Sequence, residues 1–299
     1  MAELPDISII GPGKVGTAIG MLAVRAGLRV AAVAGQNLNR AKTAAANIGL
    51  NTWGCMLAEA AAAGGLILLT VPDDAVRSTC EELAKNSRFA KGAVVAHCSG
   101  ALGSDVLQSA REACGCAVGS MHPLQTFPTL EAAVEKLPDA YFFIEGDEPA
   151  TNALTALAEA ISGHPMRIES ENKPLYHAAA VCACNYLPAL LDVAMKLSSQ
   201  AGIERQTAMA AFEPLVRATV DNVFDLGVEN ALTGPAERGD VETVGRHLSA
   251  LRDCDERLVA AYKAMGRLTV DLARKKGTID ASTAERLTEL LERPTTIKE

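Results

Sequence analysis

Gly11, Gly13 and Gly16 fall in the run Gly-Pro-Gly-Lys14-Val15-Gly, directly after the apolar residues Ile7-Ser8-Ile9-Ile10 and before an Ala-rich stretch. A strand, a glycine turn and a helix in that order form a grip for the pyrophosphate of a dinucleotide. Gly11 lets the chain turn tightly, Gly13 lets backbone approach the phosphates, and Gly16 lets helix and strand pack closely. The helix N-terminus, beginning at Lys14 and Val15, adds unpaired N–H groups and partial positive charge. An ordinary strand–helix turn can also carry three glycines. The position at the expected first strand favours the cofactor.

The end of the second expected strand separates NAD from NADP, because an acid there would hold the ribose 2′-OH and repel a 2′-phosphate. The chain reads Val33-Ala34-Gly35-Gln36-Asn37-Leu38-Asn39-Arg40, with no acid. Gln36 and Asn37 can hydrogen-bond phosphate oxygens and Arg40 can neutralise their charge. The expected cofactor is NADP (NADPH).

Three further segments follow expected strands on the edge where open α/β sheets bind ligands. They are Thr70-Val71-Pro72-Asp73-Asp74, His97-Cys98-Ser99-Gly100 and Met121-His122-Pro123-Leu124-Gln125. Val71, Pro72 and Asp73 would border the cofactor, and Ser99 and Gly100 would meet nicotinamide or substrate. His122 and Pro123 would contact the substrate, although a histidine bonded to backbone fits equally well.

A second constellation reads Asn172-Lys173-Pro174-Leu175-Tyr176-His177 and continues to Asn185. Pro174 suits the first helical turn. Lys173 and His177, four apart, share a helix face, with Asn185 further around and about 12 Å along the axis. Lys173 or His177 is the candidate acid, and histidine titrates nearer neutrality; Asn185 would orient the substrate. A capping lysine and a core-facing histidine are the structural alternative. In the loop Leu232–Asp240, Thr233, Gly234 and Arg238 could hold a substrate's polar end, or simply join two helices.

Strands are expected at 7–10, 30–34, 66–71, 93–96, 117–120 and 141–144, with a last one at 166–168. Helices are expected at 17–26, 38–48 and 75–86. Near-continuous apolar strands alternating with helices imply a doubly wound, mainly parallel α/β Rossmann-like sheet. Beyond residue 170 only helices are expected, at 174–201, 205–227, 240–272 and 281–292. The reading is a dinucleotide-binding domain over 1–170 and an all-α substrate or dimerisation domain over 171–299. The apolar helix 208–224, containing Pro214, could serve a homodimer or one subunit's own core.

The 299 residues carry 28 basic and 36 acidic side chains, a net charge of −8 that argues against nucleic acid or an anionic membrane as partner. Met1–Asp6 shows no basic leader, and no membrane-length run of consecutive apolar residues occurs. Eight cysteines include no CxxC, so free thiols in the cytoplasm are expected and no metal site.

GPGKVGTAIG, TVPDDAV, HCSGALGSDVL, SMHPLQTF, YHAAAVCACNYL and LTGPAERGD occur in this order over residues 11–240. Together they resemble a bacterial family with a Rossmann-like domain followed by an all-helical domain of unknown function. That family is described as NADP-dependent or deazaflavin (F420)-dependent oxidoreductase-like. It is similar to ketopantoate reductase, pyrroline-5-carboxylate reductase and the 3-hydroxyacid dehydrogenases. The resemblance implies an NADPH-dependent reductase of a small carbonyl acid, with 2-dehydropantoate (ketopantoate) a candidate because some members are alternative ketopantoate reductases. The hydroxyacid dehydrogenases carry a Lys-x-x-x-Asn helix; here His177 stands in place of the asparagine. An imine reductase, an F420-dependent NADP oxidoreductase and a non-catalytic NADP sensor stay open.

Overall fold

A computed structural model describes residues 4–294, so Met1–Glu3 of the expected leaderless terminus lie outside the described residues. The chain divides into two compact units, 1–185 and 186–299. The composition shift at 170 precedes that division, because the first turns of the following helix pack onto the first unit's own sheet.

The strands of the first unit are β1 (Ile7–Ile10), β2 (Val30–Ala34), β3 (Trp53–Cys55), β4 (Leu66–Leu69), β5 (Val94–His97), β6 (Ala117–Pro123), β7 (Tyr141–Gly146) and β8 (His164–Arg167). Its helices are α1 (Lys14–Arg25), α2 (Leu38–Ile48), α3 (Leu57–Ala63), α4 (Asp73–Lys85), α5 (Gln108–Cys114), α6 (Leu130–Lys136), α7 (Glu148–Ala160) and α8 (Lys173–Ala180). The sheet order is β3-β2-β1-β4-β5-β6-β7-β8. Its first six strands are parallel; β7 runs antiparallel to β6. This is the doubly wound Rossmann order with an added edge.

The apolar strands have no solvent face because both sides are covered. Ile7, Ile9, Leu66 and Leu68 pack with Ile19, Leu22, Leu154 and Leu157 on one side. Ile10, Ile67 and Leu69 pack with Val76, Leu83 and Leu107 on the other. Each such side chain contributes about 1.5–3 kcal/mol of burial.

Three expectations need correction. β3 and α3 were not expected, since three residues give too short a pattern. β3 is held by pairing with β2 and by a close approach to α2 that leaves Gly54 no room for a Cβ. β6 extends to Pro123 because antiparallel pairing with β7 reaches Pro123 opposite Phe142. His122 and Pro123 are therefore strand residues, not loop residues.

The second unit holds α9 (Tyr186–Gln200), α10 (Arg205–Leu226), α11 (Val228–Ala231), α12 (Val241–Ala250), α13 (Glu256–Lys276) and α14 (Ala281–Glu292). The third correction is here: the helix expected over 240–272 is two helices. Asp255 starts the second by accepting from the Arg257 N–H at 2.8 Å, which caps α13 after a turn at 251–254. α10 continues through Pro214. Val244, Val270, Ala273, Leu287 and Leu291 form this unit's core. The helical run 170–200, which includes a π turn at Val181–Asn185, is long and apolar enough by length and composition to cross a membrane, and little of it is buried.

Candidate active site

At the end of β1, Gly11 adopts φ +115°, and a Cβ there would lie 2.5 Å from the Thr70 carbonyl oxygen. A Cβ on Gly16 would meet the Thr70 hydroxyl and Ile9, so these two glycines are required by the protein's own packing. Gly13 differs: no atom approaches its Cβ position closer than 4.0 Å. That open face, at the N-cap of α1, is where a phosphate would approach.

No side chain caps α1 and no acid lies in its first turn, so its N-terminal N–H groups and dipole suit an anion. Beside it lies a cavity of about 360 Å³ lined by Pro12, Gly13, Lys14, Thr17, Asn39, Arg40, Thr43 and Leu130, among others. Asn39, Thr43 and Thr17 were not singled out from sequence; the Thr43 hydroxyl donates to the Asn39 carbonyl at 3.0 Å, which leaves the Asn39 amide beside Arg40 at the expected 2′-phosphate end. The Asn37 side chain instead accepts from the Arg40 N–H at 3.1 Å and caps α2. Gln36 is exposed, and Lys14 Nζ donates to the Phe127 carbonyl at 3.3 Å.

Further along the same sheet edge, Pro72 sits at the N-cap position of α4 and the half-buried Val71 packs against the core. The Ser99 hydroxyl donates to Asp73 at 2.7 Å and accepts from the Ala101 and Leu102 N–H groups. It is thereby occupied with turning the chain and does not offer a free hydroxyl to a ligand. Pro123 is buried in the sheet, and Asn185 is exposed in the π turn.

Lys173 is buried, at 1% exposure, and its Nζ donates to the Ser99 carbonyl at 3.0 Å and to the Ser120 hydroxyl. Ser120 donates onward to Glu145 at 2.6 Å, and Glu145 also accepts from the Ser104 N–H and hydroxyl, each at 2.8 Å. Lys173 Nζ lies 3.9 Å from Glu145 Oε1. Burial pushes the Lys173 ammonium down to about 8 against the pull of Glu145. This network was not legible in the sequence. Through it Lys173, one of the two candidate acids, ties α8 to the Ser99–Gly100 turn.

His177, one turn on, does reach the site. A Cβ on Gly100 would lie 2.5 Å from His177 Nδ1 and 2.8 Å from His122 Nε2, so both rings press on Gly100. The two rings meet edge to face at 5.7 Å. His177 Nδ1 is buried with no hydrogen-bond partner, whereas His122 Nδ1 is bonded to the Tyr176 hydroxyl at 2.8 Å. Thus Gly100, His122 and His177 come together, with Tyr176 as an added member.

Thr233, Gly234 and Arg238 belong to the second unit. Their loop is held by Lys276 Nζ, which donates to the Leu232 carbonyl at 2.8 Å and to Glu237 at 3.0 Å. Thr233 lines an apolar cavity of about 520 Å³ there, and Arg238 is exposed. Among the described residues, no group of three or more His, Cys, Asp and Glu is arranged to hold a metal ion.

The buried histidines make the first unit acid-sensitive. Burial, followed by the Lys173 charge, lowers His97 to about 4, and burial also lowers His122 to about 4. Below an unfolded value near 6.5 the unfolded chain binds protons that the folded state refuses until about 4. Stability therefore falls across that window, by about 3 kcal/mol for the fully buried His97. Denaturant melts at pH 7 and pH 4.5 should show the loss, and His97→Asn should flatten it. A parent whose stability is unchanged over this range would contradict the burial of both rings.

The fold and site define a class: a Rossmann-type dinucleotide module followed by a helical domain. Residues 3–123 match the Rossmann-like domain and residues 140–269 match the domain of unknown function DUF2520, and the chain carries these two domains in tandem. Comparison with curated proteins finds no match. A crystal structure of a Thermotoga maritima protein is 25% identical, covers 91% of this chain and 99% of its own, and superposes with a TM-score of 0.72. A candidate NADP oxidoreductase from Bacteroides fragilis is also 25% identical, covering 92% and 98%, with a TM-score of 0.66. A pyrroline-5-carboxylate reductase from Coxiella burnetii shares the fold at 16% identity, covering 96% and 98%, with a TM-score of 0.57.

Proposed function

We propose that this chain is an NADPH-dependent reductase of a small carbonyl acid, with 2-dehydropantoate as the first candidate. The observation that carries the reading is the meeting of His122 and His177 at Gly100, on the sheet edge that also bears the open glycine loop. The similarity to the Bacteroides fragilis protein supports the cofactor. NADPH, when bound, supplies the hydride.

The chain's own groups do the rest. The α1 N-terminus receives the pyrophosphate, and Arg40 with Asn39 receives the 2′-phosphate. The carbonyl oxygen gains negative charge as its carbon is reduced, and His177 delivers the proton. Lys173 fixes the Ser99–Gly100 turn and adds positive potential beneath it. The exposed Asn185 is assigned to the polar end of the acid. The exposed Leu187 and Leu190 of α9, together with Leu215 and Phe224 of α10, 61% and 85% accessible, are assigned to a homodimer contact.

Titration with NADPH and NADH, followed by NADPH oxidation with ketopantoate, pyrroline-5-carboxylate and other short oxo acids, tests the reading. Arg40→Ala should weaken NADPH binding about 10–100-fold, the value of one charge-assisted contact, and leave NADH little changed. Failure to bind either nucleotide would sink the proposal. Turnover of the cyclic imine alone would make the enzyme an imine reductase, and binding without turnover on any acid would favour a sensor. Light scattering on the same sample should give twice 31.2 kDa.

A further inference from the structure

Tyr176 occupies the position between the two candidate residues of α8, and its hydroxyl has one partner, His122 Nδ1, at 2.8 Å. Its ring lies 4.3 Å from that of Phe143 and 5.7 Å, edge to face, from His122, so the phenol is held in place from two sides. Burial raises its pKa, so the hydroxyl keeps its proton at neutral pH. His122, lowered to about 4, is neutral there and carries one ring proton.

That proton has two possible seats. If it sat on Nδ1, the Tyr176 hydroxyl would accept, and its own hydrogen would have no acceptor in the protein. If it sits on Nε2, the hydroxyl hydrogen is satisfied by Nδ1, and an N–H is left facing the Gly100 turn. Each arrangement leaves one donor without a protein acceptor, but only the second turns that donor, as Nε2–H, toward the Gly100 turn, where the oxygen of an incoming ligand can accept it.

We propose that Tyr176, by donating to Nδ1, holds His122 in its Nε2–H form, and that this neutral N–H receives the substrate's carbonyl oxygen. The proposal rests on the reductase reading above. It also narrows the substrate class. A carbonyl oxygen can accept the N–H throughout reduction, and does so more strongly as charge builds on it. A protonated imine nitrogen has no lone pair to accept it. The site is therefore matched to a ketone or aldehyde and mismatched to an iminium. Tyr176 is a positioning residue, and His122 touches the substrate.

Nitrogen-15 NMR of the histidine rings in the cofactor-free protein reads the seat of the proton directly, with His122→Gln assigning the signals. The expected pattern is an unprotonated Nδ1 and a protonated Nε2 on His122, changing toward an Nδ1–H population in Tyr176→Phe. An Nδ1–H form in the parent would overturn the proposal. Kinetics supplies a second reading, because a glutamine amide has no tautomer to set. Tyr176→Phe should lower kcat with an oxo acid by about tenfold or more, with NADPH affinity unchanged, whereas adding it to His122→Gln should cost nothing further. Equal losses in both backgrounds would mean that Tyr176 merely supports the fold and would overturn the assigned role. If no oxo acid is turned over, the reductase reading fails, while the NMR result still stands or falls on its own.

Discussion

Replacing Glu145 with alanine is expected to destabilise the first unit by about 3–5 kcal/mol, the cost of breaking one side of a buried ion pair. Glu145 is 5% exposed and receives three hydrogen bonds, from Ser104 N–H, Ser104 Oγ and Ser120 Oγ. Its removal orphans those donors and leaves the Lys173 ammonium in a dry site with only a carbonyl and a hydroxyl for company. For a unit of this size the loss corresponds to roughly 10 °C in Tm. Attraction alone does not explain the number, because desolvating both charges cancels much of it. The double variant Glu145→Leu with Lys173→Met removes both charges and should recover most of the lost stability. Thermal melts of the two variants and the parent decide the matter. A Glu145→Ala protein within about 1 kcal/mol of the parent would show that the network does not hold α8.

The position of Glu145 also explains why the site was only partly legible in the sequence. The glycine loop was readable because its causes are local. Gly11 must turn and Gly16 must let a helix pass a strand, and both requirements lie within a few residues of the motif. Lys173 and His177 were readable as a pair because four residues of helix place them on one face. Their different fates were not, since they depend on what the sheet offers beneath each.

Lys173 lands over Ser120 and Glu145, which come from β6 and β7 and mean little in isolation. Ser99 followed the same rule: its hydroxyl, expected to face a ligand, finds Asp73 at the start of α4 and two N–H groups just ahead of it. β3 escaped notice because pairing and packing, not pattern, hold its three residues. β6 ran past its expected end because the antiparallel neighbour that lengthens it lies about twenty residues on. Local chemistry was visible in the sequence; the assignment of each polar group to partner or ligand required the contacts made across the fold.

His177→Ala should lower the turnover of an oxo acid by about 10²–10⁴-fold, the usual contribution of a positioned proton donor. NADPH affinity should hold, because the glycine loop and Arg40 lie on other elements. Stability separates this expectation from a purely structural role. His177 Nδ1 is buried, unpartnered and pressed on Gly100, which is an arrangement that costs the fold about 1–3 kcal/mol. Truncation to alanine removes that penalty while losing some ring packing, so Tm should change little or rise. A histidine kept for structure would show the reverse, with melting temperature falling and whatever turnover exists surviving in the folded fraction. Unsatisfied polar atoms that persist in a native core are most simply understood as groups held ready for something else. Here the neighbouring donor, the glycine that admits no side chain and the cofactor-binding edge all lie beside that one nitrogen. Full activity in His177→Ala would remove the proton donor from the proposed mechanism and leave His122 as the remaining ring nitrogen at the oxygen.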